Sequence, residues 1–434
     1  MLRYLLAMVL LVVAVIFDLG MLAYALYVFL GILITSQFFS KRWAESLSAT
    51  RVTSQSKANV GQTIAVLVDV ENHGNLPVPW VLIEDLVPRD YLMPPARLSL
   101  IGRRLHLIAL GRGEKKTLLM QISLLGRGYF QIGPLLLETG DLFGLHRRFR
   151  VLTQPQYLLV HPDFSPLSNY DITSPRPIGE VRITHSLFDD PTRVCGVRPY
   201  QHGDPIRRIH WRATARTGTL HSKVYEPSIV AGATIVLDFL ADHYEEIEGE
   251  ARGELAVTMA ASLVHALAQR NEEIGFVTNG RDAVQRIRFE GWASDWRTRR
   301  EAKESAELGA PDDRFEPLVI DTRRGIEQID RIFDLLGRLE LSNGLPLPAL
   351  LHEAAGRMPR SASVVVIVGR IGVEEAIAIG DLRRSGFCVT VFVNCYHIVD
   401  FEAALGTLLS MGVSVRQLTQ RTSVSNLCRD FVLR

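Results

Sequence analysis

Hydrophobic and polar positions change rhythm three times along the chain. Between Arg3 and Lys41 the only charged residue is Asp18, which separates the apolar run Tyr4 to Phe17 from a second apolar run, Leu19 to Phe39. A membrane span needs about 20 apolar residues, so the second run is long enough and the first falls short. The pattern predicts a helical hairpin turning at Asp18-Leu19-Gly20, with residues 1–42 as a membrane anchor. Arg3 before the hairpin and Lys41, Arg42 and Arg51 after it predict, by the positive-inside rule, that both ends face the cytoplasm. The rival reading is a secretory signal peptide cleaved after Ala23-Tyr24-Ala25. Against it, the apolar run resumes at Leu26 and continues to Phe39.

From Ser48 to about Val160 the period shortens to two. Thr63 to Val70, Trp80 to Asp85, Leu105 to Leu110, Lys116 to Ser123 and Pro134 to Leu137 read as short strands, separated by Gly, Pro and Asn turns. This pattern predicts an all-β sandwich over 48–160. Gly111-Arg112-Gly113-Glu114-Lys115-Lys116-Thr117 has the glycines of a phosphate loop but not the Gly-Lys-Ser/Thr ending, and Gly126-Arg127-Gly128 reads as a turn before a strand.

From Ala231 buried strands alternate with amphipathic helices. Strands are predicted at Ala233–Leu237, Ile274–Thr278, Val364–Val368, Cys388–Val393 and Val413–Val415. Helices are predicted at Glu254–Arg270, Ile326–Leu339, Val373–Ser385 and Phe401–Met411. The unbroken β-branched run Val364–Val368 marks a central parallel strand covered on both faces. The alternation predicts a doubly wound α/β domain over 231–434, with residues 291–322 as a charged insertion and 161–230 as a connecting segment.

Composition adds limits. The 434 residues carry 48 Lys+Arg against 47 Asp+Glu, a net charge of +1, which excludes a polycation or an acidic tail; 47% hydrophobic residues exclude wholesale disorder. Cys195, Cys388, Cys395 and Cys428 form no CxxC pair, so reduced thiols are expected rather than a zinc ribbon or a disulfide framework. The near-neutral total hides two patches. Residues 193–223 carry Arg193, Arg198, Arg207, Arg208, Arg212, Arg216 and Lys223 against Asp204 alone, and residues 238–254 carry seven carboxylates against Arg252. Trp211 and Tyr200 among these arginines suit phosphate contact and stacking. The chain has no nucleic-acid signature, however, and arginine forks that fix a loop internally are the expected reading, with no nucleic-acid partner.

Gly203-Asp204-Pro205 reads as a turn, and Ile206 to Arg216 as a short helix closed by Gly218. The run Val197-Arg198-Pro199-Tyr200-Gln201-His202-Gly203-Asp204-Pro205-Ile206-Arg207-Arg208-Ile209-His210-Trp211-Arg212-Ala213-Thr214-Ala215-Arg216-Thr217-Gly218 resembles the signature of the bacterial family called domain of unknown function 58. Gly126 to Pro134 and Asp141-Leu142-Phe143-Gly144-Leu145 look like that family's preceding strands, so the resemblance extends over essentially the whole chain. It implies a C-terminal von Willebrand factor A-like domain, and thus a multidomain fold of transmembrane hairpin, β-sandwich and α/β domain. It also implies a non-enzymatic, membrane-anchored cytoplasmic partner of MoxR-type AAA+ ATPases at the bacterial inner membrane, acting in assembly or remodelling of protein complexes. On this resemblance Arg198, Tyr200, Gly203, Asp204, Arg207, Arg208, His210, Trp211, Arg216, Gly218 and Glu226 are the signature and interaction residues, several of them expected to hold the segment against the C-terminal domain.

Metal-binding members of the implied fold hold Mg²⁺ with a D-x-S-x-S loop, a Thr and a later Asp. Here Asp238-Phe239-Leu240-Ala241-Asp242 keeps the first Asp and replaces the serines, Thr278 stands as a third position, and Arg370 follows the strand where the later Asp belongs. A degenerate site is expected, with no metal or other cofactor and with Arg370 paired to Asp238 or Asp242. His352-Glu353 lacks the second His of a zincin helix, since Gly356 stands there, and no G-x-S-x-G elbow occurs, so no catalytic residue is assigned. The alternative is a periplasmic or metal-dependent protein-binding scaffold of the envelope.

Overall fold

The computed structural model describes residues 2–167, 189–200, 209–227, 232–244, 249–290, 315–360, 362–395 and 398–424. The chain forms two compact units. One comprises Met1–Phe164, Gly280–Phe315 and Asp330–Gly344, the other Ser165–Asn279, Glu316–Ile329 and Leu345–Arg434.

The first unit opens with helices α1 (Leu2–Ile16) and α2 (Gly20–Ser46), which pack together and are joined at Asp18 in the left-handed region, φ 56°. The expected hairpin is there, and α2 is long and apolar enough to cross a membrane by length and composition. It runs beyond Phe39, where the apolar pattern ends. The polar tail Ser40–Ser46 contains no helix breaker, and it buries Ser40, Trp43 and Ala44 on one face.

Strands β1 (Leu47–Thr53), β2 (Lys57–Asn59), β3 (Thr63–Asn72), β4 (Val78–Asp85), β5 (Leu98–Ile101), β6 (Leu105–Leu110), β7 (Lys115–Leu124), β8 (Gly128–Ile132), β9 (Leu135–Gly140), β10 (Arg147–Thr153) and β11 (Gln156–His161) follow. They form antiparallel sheets β1-β3-β7-β5 and β10-β9-β4-β6, with a smaller sheet β2-β11-β8. The two four-stranded sheets share one core. Ile64, Val66, Val68 and Val70 of β3 enter it at every second residue, against Val81 and Ile83 of β4 and Leu135 and Leu137 of β9. Residues 111–114 are the turn between β6 and β7, where the Glu114 carboxylate accepts the Gly111 N–H at 2.5 Å.

Two arginines are buried here. Arg51, counted above with the flanking positive charges, pairs with Asp85 at 2.6 Å and donates to the carbonyls of Ile132 (2.9 Å) and Gln154 (3.3 Å). It joins the end of β1 to the end of β4, so it ties the two sheets together. A Cβ at Gly133, φ 91°, would sit 2.4 Å from the guanidinium, which explains that glycine. Arg127, between Gly126 and Gly128, donates to the carbonyls of Leu336 (2.6 Å) and Leu339 (2.8 Å) at the end of helix Ile326–Arg338.

The second unit carries the ribbon β12 (Asp189–Pro199) and β13 (His221–Pro227), helix α3 (Trp211–Thr217) between them, and an open sheet. That sheet is made of β14 (Gly232–Leu237), β15 (Glu273–Thr278), β16 (Leu318–Arg323), β17 (Ser363–Val368), β18 (Cys388–Val393) and β19 (Ser414–Gln417), in the order β16-β15-β14-β17-β18-β19. All pairings are parallel except that of the edge strand β16. Helices α4 (Gly249–Gln269), α5 (Leu347–Ala355), α6 (Val373–Arg384) and α7 (Ile398–Ser410) alternate with the strands. The runs Ala233–Leu237 and Val364–Val368 are buried at every residue, as strands covered on both faces must be. The charged insertion 291–322, whose structure the sequence left open, ends in strand β16, where the exposed Asp321 and Arg323 alternate with Thr322, whose Oγ1 lies 2.9 Å from Thr234 Oγ1 of β14.

Burial disfavours both charges of the Arg51–Asp85 pair; it pushes the Asp85 carboxyl up to about 6 and lowers the Arg51 pKa, while their mutual attraction opposes both shifts. Arg51→Ala is therefore expected to destabilise the sandwich by about 3–5 kcal/mol in urea unfolding, because it strands a buried carboxylate. Arg51→Met combined with Asp85→Leu is expected to lose much less.

Candidate functional site

In an open sheet of this kind, ligands bind outside the carboxyl ends of the strands where the winding reverses. Here the reversal lies between β14 and β17. The residues that follow the inner strands are Asp238 after β14, Asn279 after β15, Gly369 after β17 and Asn394 after β18. Parallel pairing in register brings these four chain positions, far apart in sequence, to one edge.

Asp238 is completely buried and its groups are all engaged. Its N–H donates to the Ile367 carbonyl at 2.9 Å and its own carbonyl accepts the Tyr244 hydroxyl at 2.9 Å. Carboxylate Oδ1 accepts from Asn279 Nδ2 at 2.7 Å, and Oδ2 is hydrogen-bonded to His243 Nδ1. The Asn279 orientation is fixed from outside the pair: its Oδ1 accepts the Phe239 N–H at 2.6 Å, so its amide nitrogen must face Asp238 and the Leu345 carbonyl, 2.9 Å away. An ionised carboxylate only accepts, so His243 donates from Nδ1. Burial alone would lower the His243 pKa, but the hydrogen bond and charge of Asp238, with Glu375 and Asp242 behind them, raise it above its usual value. Burial drives the Tyr244 hydroxyl well above the tyrosine range.

The loop that follows β14 thus folds back over its own strand end. Gly369 permits this, because a Cβ there would lie 2.6 Å from the His243 carbonyl and 3.1 Å from the Tyr244 ring. Alongside, Asn394 donates to the Arg252 carbonyl at 2.7 Å and accepts from the Arg252 guanidinium at 3.2 Å; that guanidinium also reaches the carbonyls of Leu418 and Thr419. The crevice at the reversal is filled by the chain's own side chains.

The expected pairing of Arg370 with Asp238 or Asp242 does not occur: Arg370 and Asp242 are exposed, and His243 and Asn279 hold Asp238 instead. Thr278 is buried at the end of β15. The donor set does not fit a divalent cation. One oxygen of Asp238 faces an amide N–H and the other an imidazole N–H, and Leu240 replaces the hydroxyl ligand. Among the described residues, no group of three His, Cys, Asp or Glu is placed to hold a metal ion. Asp238 also drops out of the acidic patch read from the sequence, since it faces inward. Neither Cys388 nor Cys395 is in a disulfide.

The signature segment is built differently. Helix α3 is capped at both ends: His210 Nδ1 accepts the Ala213 N–H at 3.0 Å, and Gly218 at φ 73° donates its N–H to the Thr214 carbonyl. His210 N–H donates to the His221 carbonyl and Tyr200 N–H to the Leu220 carbonyl, which fasten the segment to β13. Arg198 lies on β12, half-buried, with its guanidinium 3.3 Å from the Pro199 carbonyl. Trp211 and Arg216, both expected to hold the segment against the C-terminal domain, are exposed, Trp211 to 65%, and Arg212, which follows Trp211 in the helix, is exposed as well. Glu226 lies on β13; Gly203, Asp204, Arg207 and Arg208 lie outside the described residues.

Residues 196–291 match the family model described as protein of unknown function DUF58. The match begins in β12 and covers the capped helix, Asp238 and Asn279. An uncharacterized protein of Bacillus subtilis, YeaD, is 23% identical over 258 residues, 59% of this chain and 62% of its own length. Similar solved structures include the CARDB domain of a Pyrococcus furiosus protein, at 15% identity over 26% of this chain and 86% of that one, TM-score 0.17. Trypsin-activated alpha-2-macroglobulin of Escherichia coli matches at 17% identity over 29% of this chain and 8% of that one, TM-score 0.21. Scores this low assign no fold.

Sequence reasoning missed His243, Tyr244 and Asn279. For Asn279 the available signal was a polar residue directly after a buried strand, as at Asp238 and Asn394, and it was read only at Asp238. A histidine whose pKa rises on folding adds stability that is complete below about pH 6.5 and is lost as pH climbs through the folded value. Hydrogen-exchange protection of the 238–244 loop, corrected for intrinsic rates, is expected to fall as pH rises from 6.5. His243→Gln is expected to flatten that dependence.

Proposed function

We propose that this chain is a non-enzymatic, membrane-anchored adaptor that binds a partner protein through helix α3. The supporting observation is Trp211, exposed with Arg212 and Arg216 on a helix capped at both ends. Tryptophan and arginine dominate binding hot spots because they combine large apolar area with fixed hydrogen-bond geometry. A helix held by His210 and Gly218 presents them with little ordering left to lose. At the reversal of the sheet, by contrast, Asp238 is committed to internal hydrogen bonds, so on this reading that edge is structural and holds neither resident metal nor other cofactor.

The partner suggested by the resemblance of Val197–Gly218 is a MoxR-type AAA+ ATPase. On this reading the protein binds no nucleic acid, the α1–α2 hairpin is an inner-membrane anchor, and the sandwich and the von Willebrand A-like domain lie in the cytoplasm. Lys41 and Arg42 support that orientation. Arg51 no longer counts toward it, since it is buried with Asp85.

Affinity purification of the detergent-solubilised chain from its native membrane, followed by mass spectrometry, tests the proposal. An AAA+ ATPase is expected with the wild type. With Trp211→Ala its affinity is expected to drop about 30-fold, the effect of losing a hot-spot residue worth about 2 kcal/mol. Recovery of envelope proteins without an ATPase, or equal recovery with Trp211→Ala and Arg216→Glu, would overturn it.

A further inference from the structure

Helix α2 has two environments. Met21, Leu22, Tyr24, Tyr27 and Ile34 are exposed, whereas Leu33, Ser36, Ser40, Trp43 and Ala44 form a stripe buried within the first unit, where α2 packs on β9 and β10. The buried stripe begins within the last two turns of the helix before the point where the membrane should end. At 1.5 Å per residue, a hydrocarbon layer of about 30 Å takes about 20 residues, which from Gly20 reach to about Phe39. Phe38, Phe39 and Trp43 form a chain of ring contacts there, and the Arg42 guanidinium lies 5.4 Å from the centre of the Phe38 ring, an aromatic and basic belt suited to headgroups.

The turn between β9 and β10 lies at this level. Ser36 Oγ is 2.8 Å from His146 Nδ1, so the turn stands beside the last stretch of the apolar run. The Asp141 carboxylate fixes its shape by accepting the N–H groups of Phe143 (2.9 Å), Leu145 (3.2 Å) and His146 (2.6 Å). Trp80 Nε1 donates to the Asp141 carbonyl at 3.3 Å. A turn so constrained could have carried polar side chains outward; instead Leu142 is 71% and Phe143 68% exposed. Arg147 follows immediately, also exposed.

We infer that the Asp141–His146 turn is a second membrane contact, with Leu142 and Phe143 seated in the bilayer interface beside α2 and Arg147, Lys41 and Arg42 at the level of acidic headgroups. The inference rests on the reading of α2 as a membrane span. Its physical content is that one helix alone leaves the sandwich free to swing, whereas a helix with an adjoining apolar turn fixes its tilt, as interfacial anchors do.

The test uses the full chain in nanodiscs of phosphatidylethanolamine and phosphatidylglycerol, with the photoreactive residue p-benzoylphenylalanine placed singly at position 143, 27 or 52. Tyr27 is on the exposed face of α2 and reports the span itself. Val52 is 60% exposed and neighbours Arg51, which binds Gln154, on the order of 25 Å along β10 from His146 at 3.3 Å per residue. Lipid adducts at 27 and 143, and none at 52, are expected. Adducts at 27 without adducts at 143, or protein adducts in place of lipid at 143, overturn the inference and leave the span standing. No lipid adduct at 27 overturns the span and the inference with it.

Discussion

The bond between Asp238 and its two partners decides how the second unit is read. A buried carboxylate at the carboxyl edge of a parallel sheet is the position from which such folds reach a ligand. It is also costly unless every lone pair is satisfied. Here the satisfaction is internal: His243 comes from the loop that follows the same strand, and Asn279 from the end of the neighbouring one. Because Asn279 also takes the Phe239 N–H and reaches the Leu345 carbonyl, one amide locks three chain segments around that carboxylate. Gly369 leaves just the room that the loop needs.

The first unit uses the same device in a different setting. Arg51 with Asp85, and Arg127 with the carbonyls of Leu336 and Leu339, place arginine forks where several acceptors converge. A planar guanidinium can satisfy several such acceptors at once, which an ammonium does less well. The charge left for outward use is accordingly smaller than composition suggests. What remains conspicuous outside is apolar or aromatic residues close in sequence to basic ones: Trp211 and Arg212 on α3, and Leu142 and Phe143 in the turn before Arg147.

Much of the architecture was legible because burial on one or both faces leaves a period in the sequence. Thr63–Asn72 alternates since one face meets the core, and Val364–Val368 does not alternate since both faces do. The end of the short helix at Gly218 was legible from its left-handed cap, but its start was not: the helix expected from Ile206 begins at Trp211, after Ile209 bridges to Ser222. Several of the failures are contacts between residues far apart in sequence. Nothing local ties Asn279 to Asp238 across 41 positions, or Arg51 to Asp85 across 34. The tail of α2 was missed because a charged, polar segment carries no apolar signal even when one of its faces packs. Strand β16 was missed because its exposed Asp321 and Arg323 make the segment read as charged rather than as a strand.

The central claim, that Asp238 is a structural anchor and not a ligand, is tested most directly by isothermal titration of Mg²⁺ and Mn²⁺ into the detergent-solubilised full chain. The account predicts no saturable binding, in the wild type or in Asp238→Asn. Micromolar binding in the wild type that disappears in Asp238→Asn would contradict it, because the carboxylate would then be giving up His243 and Asn279 for a cation.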